Sequence, residues 1–276
     1  MITRRHLTQG AAAIALGSSC ITSSHAAEKA TKRSTFVLVH GAWHGGWCWK
    51  MVRNYLQDRG HRVFTPSLTG LGDRSHLRSP EINLDTHMDD IINLIRWEEF
   101  DDIILVGHSY GGAIITGVCD RIKNSTKTRI GHVVYLDAFV PKDGDQVLPG
   151  ATKELAEERY GPLEDGYLAW AREPVSFGIP DSMPEELAWV RRLLTPQLLG
   201  TWTQKISIKN GGSDGVPRTF IYCNDKPPLS AQQASRLQGF KDDPTWHYAE
   251  LPCGHDAMVI LPEETARLFE TIANRA

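Results

Sequence analysis

The chain has 276 residues, a net charge of −3, 41% hydrophobic residues and 23% charged residues. That length allows one large domain or two small ones, and the composition is that of a globular protein able to bury a sizeable core. A disordered chain, a collagen, a coiled coil and a small disulfide scaffold are excluded; the charge is far from that of a nucleic-acid binder, and no apolar run reaches the roughly 20 residues that membrane insertion needs.

The first element is an address. Arg4 and Arg5 precede an Ala-rich apolar stretch from Gly10 to Ile21, and Ser24-His25-Ala26 has a small-x-small pattern. This order describes a secretory signal over residues 1–26, of twin-arginine type, and hence a periplasmic or secreted protein. Cys20 does not suggest a lipoprotein, because Gly17 rather than Leu stands three residues before it. Cleavage after Ala26 removes Arg4 and Arg5 and takes the net charge from −3 to −5. It leaves Cys48, Cys119, Cys223 and Cys253 in a compartment that permits disulfides. A bridge between Cys223 and Cys253 is open, with buried free thiols favoured. No CxxC pair exists, so a zinc site has no support.

Six apolar runs follow, at 35–39, 62–66, 102–107, 132–136, 218–223 and 246–251. Most lack polar alternation, as strands buried on both faces should. Helical patterns lie between and after them, at 47–59, 85–97, 110–123, 231–238 and 263–274. Strands alternating with helices predict an α/β fold with a mostly parallel six-stranded sheet flanked by helices. From about Pro141 to Gly215 no buried strand is predicted. This stretch, with Trp170, Trp189 and Trp202, reads as a helical cap between the fourth and fifth strands. Residues 27–276 are therefore expected to form one domain with a cap insertion at about 141–215.

The chemistry sits at the strand ends. Gly107-His108-Ser109-Tyr110-Gly111 is a G-x-S-x-G sequence between a predicted strand and a predicted helix, the context in which a serine hydroxyl is lifted to the sheet edge. Ser109 is the expected nucleophile. A neutral hydroxyl needs a base held by a carboxylate. His255, in Cys253-Gly254-His255-Asp256 just after the last strand, is placed for that role. Two acids compete for the third place: Asp225 after the fifth strand, which is favoured, and Asp137 after the fourth. The oxyanion hole is expected from the backbone N–H groups of Tyr110 and Ala42, the latter in the loop after the first strand, with His40 bracing that loop. Trp43, His108, Trp170 and Trp202 are candidate walls of an apolar or aromatic substrate site.

The stretch His40-Gly41-Ala42-Trp43-His44-Gly45-Gly46-Trp47, together with Gly107-His108-Ser109-Tyr110-Gly111-Gly112, resembles the α/β-hydrolase superfamily. Within it, the chain is similar to the branch of plant methylesterases, including salicylate-binding esterases, hydroxynitrile lyases and related bacterial esterases. The likeness spans roughly residues 35 to 275. It implies a helical cap over an apolar pocket and an acid after the next-to-last strand, which favours Asp225. The lyases of that branch carry a threonine after the first loop histidine and a lysine after the catalytic histidine. Gly41 and Asp256 stand at those positions here, and an acidic Asp256 would disfavour cyanide.

The expected activity is a carboxylic-ester hydrolase working through an acyl-enzyme on Ser109, with a small-molecule ester as its partner. No metal or organic cofactor is called for. A hydroxynitrile lyase, or a hydrolase of carbon–carbon or lactone bonds, uses the same triad and is the alternative reading; a non-catalytic binder is a third. The sequence leaves the oligomeric state open, a homodimer included.

Overall fold

The computed structural model describes residues 33–124, 127–171 and 173–275. The expected signal segment and Cys20 lie outside the described residues.

The first strand, β1 (Thr35–Val39), is followed by a 3-10 turn and helix α1 (Lys50–Asp58), then β2 (Arg62–Phe64), α2 (Leu84–Trp97), β3 (Asp102–His108), α3 (Gly111–Ile122) and β4 (Arg129–Leu136). After an intervening segment come β7 (Arg218–Cys223), α7 (Ala231–Asp242), β8 (Trp246–Leu251), α8 (Ala257–Ile260) and α9 (Pro262–Ala273). Six strands form one sheet in the order β2-β1-β3-β4-β7-β8, and every neighbouring pair is parallel. β1, β3 and β4 lie inside the sheet and bury both faces, which is why their sequences run apolar without alternation. Val37, Leu105 and Val133 pack on one side with Met88 and Ile91 of α2 and Ile114 of α3. Phe36, Ile104 and Val134 pack on the other with Val52 and Leu56 of α1 and Phe269 of α9. Fully burying one such side chain contributes about 1.5–3 kcal/mol. β8, at the sheet edge, is only partly buried.

Between β4 and β7 lie α4 (Lys153–Tyr160), β5 (Leu168–Ala169), a 3-10 turn, α5 (Pro184–Leu193), β6 (Gln197–Leu198) and α6 (Gly200–Thr203). The helical character agrees with the reading of the sequence. The expectation of no strand does not hold: β5 and β6 pair antiparallel as two-residue strands, too short to carry a periodic signal. Among the described residues no helix is long and apolar enough to cross a membrane.

Candidate active site

The sheet gathers the reactive groups at its carboxyl edge. Ser109 follows β3 directly and has φ +53°, in the left-handed region that strains a non-glycine residue by about 1–3 kcal/mol. The neighbouring glycines make the bend possible. A Cβ on Gly107 would lie 2.6 Å from the Gly111 carbonyl oxygen, and one on Gly111 would lie 2.8 Å from the carbonyl oxygens of Val39 and His40. The end of β4 holds the bend in place: Ser109 N–H donates to the Leu136 carbonyl at 3.2 Å, and Phe139 N–H donates to the Ser109 carbonyl at 2.9 Å.

His255 lies in the loop after β8. His108 Nε2–H donates to its carbonyl at 3.0 Å, and the two rings lie 4.5 Å apart. On the other side that loop packs on the inserted segment, where Asp256 N–H donates to the Phe177 carbonyl at 3.1 Å.

The carboxylate at His255 differs from the favoured expectation. Asp137 Oδ2 accepts from His255 Nδ1 and from Lys226 Nζ. Asp225 is exposed, and its backbone N–H donates to the Cys253 carbonyl at 3.0 Å. The reason is geometric. Asp137 is one residue past β4, at φ +46°, with its N–H on the Ile221 carbonyl, so it turns across the end of β7 toward the His255 loop. Asp225 instead ties its backbone to that loop. Burial raises the Asp137 pKa, but the His255 ring and the Lys226 ammonium outweigh burial and hold it at about 2.

The loop after β1 lies against Ser109. A Cβ on Gly41 would come within 3.1 Å of Ser109 Cβ and 2.8 Å of His108 Nδ1. His40 braces this loop: its Nδ1–H donates to the Gly41 carbonyl at 2.8 Å and its Nε2 accepts from Leu68 N–H at 3.0 Å. Burial lowers its pKa to about 3, so it stays neutral. Tyr110 stands at the start of α3, where Gly112 N–H donates to the Ser109 carbonyl at 3.1 Å and Ala113 N–H to the Tyr110 carbonyl at 3.0 Å. Its hydroxyl donates to His87 Nδ1 at 2.8 Å, while His87 Nε2–H donates to the Thr69 carbonyl at 2.8 Å. Burial lowers the His87 pKa to about 4, which suits this neutral tautomer.

A cavity of about 440 Å³ takes in Ser109, His255, Asp137, Ala42 and Tyr110. Trp43, Tyr160 and Trp202 form one wall, with ring centres 4.9–5.5 Å apart. Two expected wall residues are elsewhere. His108 is 1% exposed and lies beneath the His255 loop, because the residue before the bend still belongs to β3 and faces the core. Trp170 is 46% exposed, with its indole N–H on Glu164, since β5 ends before it. Asp256 does not face the cavity either; it is fully buried and bonded to His44 Nε2 at 3.1 Å. Its charge therefore carries no direct argument about cyanide. Lys226, which lines the cavity beside Asp137, was missed in the sequence, although its place just after the Asn-Asp turn of β7 was a signal. Among the described residues no group of three or more His, Cys, Asp or Glu is arranged to hold a metal ion. Cys48, Cys119, Cys223 and Cys253 are buried free thiols.

The strand order and the serine bend now meet an independent finding: the sequence profile of the alpha/beta hydrolase family matches residues 36–268. The chain belongs to that family. This hydrolase is 41% identical over 241 residues to a carbendazim-hydrolyzing esterase of Nocardioides sp. (strain SG-4G), covering 84% of this chain and 97% of that one. It is 26% identical over 262 residues to methylesterase 1 of Arabidopsis thaliana, covering 88% and 97%. Among solved structures, an extracellular alpha/beta-hydrolase from a Paenibacillus species superposes with a TM-score of 0.70 at 22% identity, over 86% of this chain and 98% of that one.

Proposed function

We propose that this hydrolase cleaves small esters, with apolar or aromatic groups, through an acyl-enzyme on Ser109. The fold and the esterase relatives support a serine ester hydrolase. The observation that carries the residue roles is the shared cavity: Ser109 and His255 open into one space, with the Asp137 carboxylate on the far ring nitrogen of His255.

His255 Nε2 takes the Ser109 proton as Oγ attacks the ester carbonyl. The carbonyl π pair moves onto oxygen, and the Ala42 and Tyr110 N–H groups receive that oxyanion. The N-terminus of α3 favours the same charge. Collapse expels the alcohol, which leaves with the proton from His255. Water, deprotonated by His255, attacks the acyl group and frees the acid and Ser109. Asp137 fixes the His255 tautomer and stabilises the imidazolium of each transition state. The aromatic wall of Trp43, Tyr160 and Trp202 suits a flat or apolar substituent. Export belongs to the same proposal: residues 1–26 read as a signal, and the Paenibacillus neighbour is extracellular.

Hydroxynitrile cleavage is kept as a second reading because Lys226 brings an ammonium into the cavity. Phenyl acetate, methyl benzoate, carbendazim and mandelonitrile, tested against wild type and Ser109→Ala, separate the two. Ester turnover that vanishes in Ser109→Ala, with an aryl phosphonate attached to Ser109 in the wild type, is the expected result. Turnover of mandelonitrile alone, or undiminished ester turnover in Ser109→Ala, overturns it.

A further inference from the structure

A second histidine–carboxylate pair lies beneath the site, and the mechanism above makes no use of it. His44 is 1% exposed and Asp256 is fully buried. His44 Nε2 lies 3.1 Å from Asp256 Oδ2, and His44 Nδ1 lies 2.8 Å from the Ala42 carbonyl oxygen. A carbonyl can only accept, so Nδ1 carries a proton. An ionised carboxylate can only accept, so Nε2 carries one too. The ring is stacked on Trp47 and edge-on to Phe177, which keeps water from substituting for either partner.

We propose that His44 and Asp256 form a permanent imidazolium–carboxylate pair whose task is to hold the Ala42 peptide in the geometry that binds the oxyanion. This rests on the acyl-transfer reading, in which Ala42 N–H is an oxyanion donor. Two peptide planes flank the Ala42 Cα, and all the peptide bonds described are trans. In the first plane, His40 holds the Gly41 carbonyl, which aims the opposed Ala42 N–H. In the second, His44 holds the Ala42 carbonyl, and Gln197 Oε1 accepts from Trp43 N–H at 2.9 Å. Rotation about either Ala42 bond would break one of these. His44 and Asp256 touch neither substrate nor reacting atoms, so they are positioning residues.

The electrostatics agree with the geometry. Burial pulls the His44 pKa down, but the Asp256 charge and the two hydrogen bonds outweigh it and raise the pKa. Burial likewise opposes ionisation of Asp256, and His44 outweighs it, leaving that pKa lowered. Other titratable neighbours do not oppose the pair: burial takes His40 and His108 to about 3, Cys48 stays a thiol, and the His255 ring near Asp256 favours the carboxylate.

The test joins spectroscopy to kinetics. In the wild type at pH 7, nitrogen-15 histidine NMR is expected to show both His44 ring nitrogens protonated. Asp256→Asn is expected to lower kcat for phenyl acetate about 10–100-fold, less than the 10²–10³ for deleting a donor outright, with KM changed less than about 3-fold. Affinity for a phenyl trifluoromethyl ketone, whose hemiketal places an oxyanion in the hole, should fall by the same factor as kcat. A His44 with one protonated nitrogen overturns the inference, even if Asp256→Asn does not fold. Unchanged kcat and ketone affinity in a folded Asp256→Asn overturn it as well. Failure of the ketone to form an adduct on Ser109 in the wild type overturns the acyl-transfer reading itself, and the inference with it.

Discussion

Replacing Asp137 by Asn keeps the shape of the side chain and removes its charge, while His255 and Lys226 remain in place. The structure sets the size of the effect. The Asp137 carboxyl is held at about 2 instead of 3.8, with His255 and Lys226 outweighing burial. At about 1.36 kcal/mol per pH unit, that difference is roughly 2.4 kcal/mol of preference for the carboxylate in the resting protein. The effect on rate should be larger, because in the proposed mechanism His255 takes up the Ser109 proton as the ester is attacked and Asp137 stabilises that transition state. In a serine protease the same exchange costs about 10⁴ in kcat, or roughly 5.4 kcal/mol. Asp137→Asn is therefore expected to lose about 10³–10⁴ in kcat for p-nitrophenyl acetate. Asp225→Asn, an exposed change away from His255, should stay within about 3-fold. A large loss in Asp225→Asn, with Asp137→Asn near normal, would refute the assignment and return the triad acid to the loop after β7. The same variant has a stability signature. A carboxyl with a lowered pKa stabilises the fold fully above its unfolded value, near 4, and loses that contribution as pH falls toward about 2. Urea titrations across that window should show a shallower acid loss in Asp137→Asn than in wild type.

Four further substitutions test the packing. Gly41→Ala places a Cβ within 3.1 Å of Ser109 and 2.8 Å of His108, so the loop must retreat and kcat should fall at least about 100-fold. Gly239→Ala in α7 meets nothing within 4 Å and should raise stability by up to about 1 kcal/mol with activity unchanged, as unfolding midpoints and a kcat assay would show. Trp202→Ala removes a 3%-exposed wall residue and should cost about 3–5 kcal/mol in stability and raise KM for aryl esters. Trp170→Ala, at a 46%-exposed site, should leave stability within about 0.5 kcal/mol and KM unchanged. Equal effects of the two tryptophans on KM would contradict the cavity as described.

The sheet was legible because strands buried on both faces leave an unbroken apolar record, as in Phe36–Val39 and Ile103–Val106. Ser109 and His255 were legible because a strand end is a place that sequence can mark. What joins them to a carboxylate was harder to read. Asp137 and Asp225 both follow strands, and the choice depends on how the His255 loop leans across β7, a lateral relation with no period in the chain. The cap tryptophans have the same difficulty: Trp170 and Trp202 look alike in sequence, and only the two-residue pairing of β5 with β6 separates the exposed from the buried one. Gln197, fully buried and bonded to Trp43, left no signal, since a lone glutamine just after Pro196 reads as a turn residue.

Trp43 bears on how such an enzyme can change. It adopts φ +64°, gives its N–H to Gln197 and its indole N–H to the Ala169 carbonyl, and accepts from Thr195 N–H at 2.9 Å. The inserted segment thus grips the residue next to Ala42, the proposed oxyanion donor. The inserted region is consequently not an exchangeable cassette. A transplant that broadened substrate choice would also detune the rate, unless partners equivalent to Gln197, Thr195 and Ala169 travelled with it. On the proposed roles, substrate preference and turnover would be inherited together, and lineages that diverge in one should carry compensating changes around Trp43.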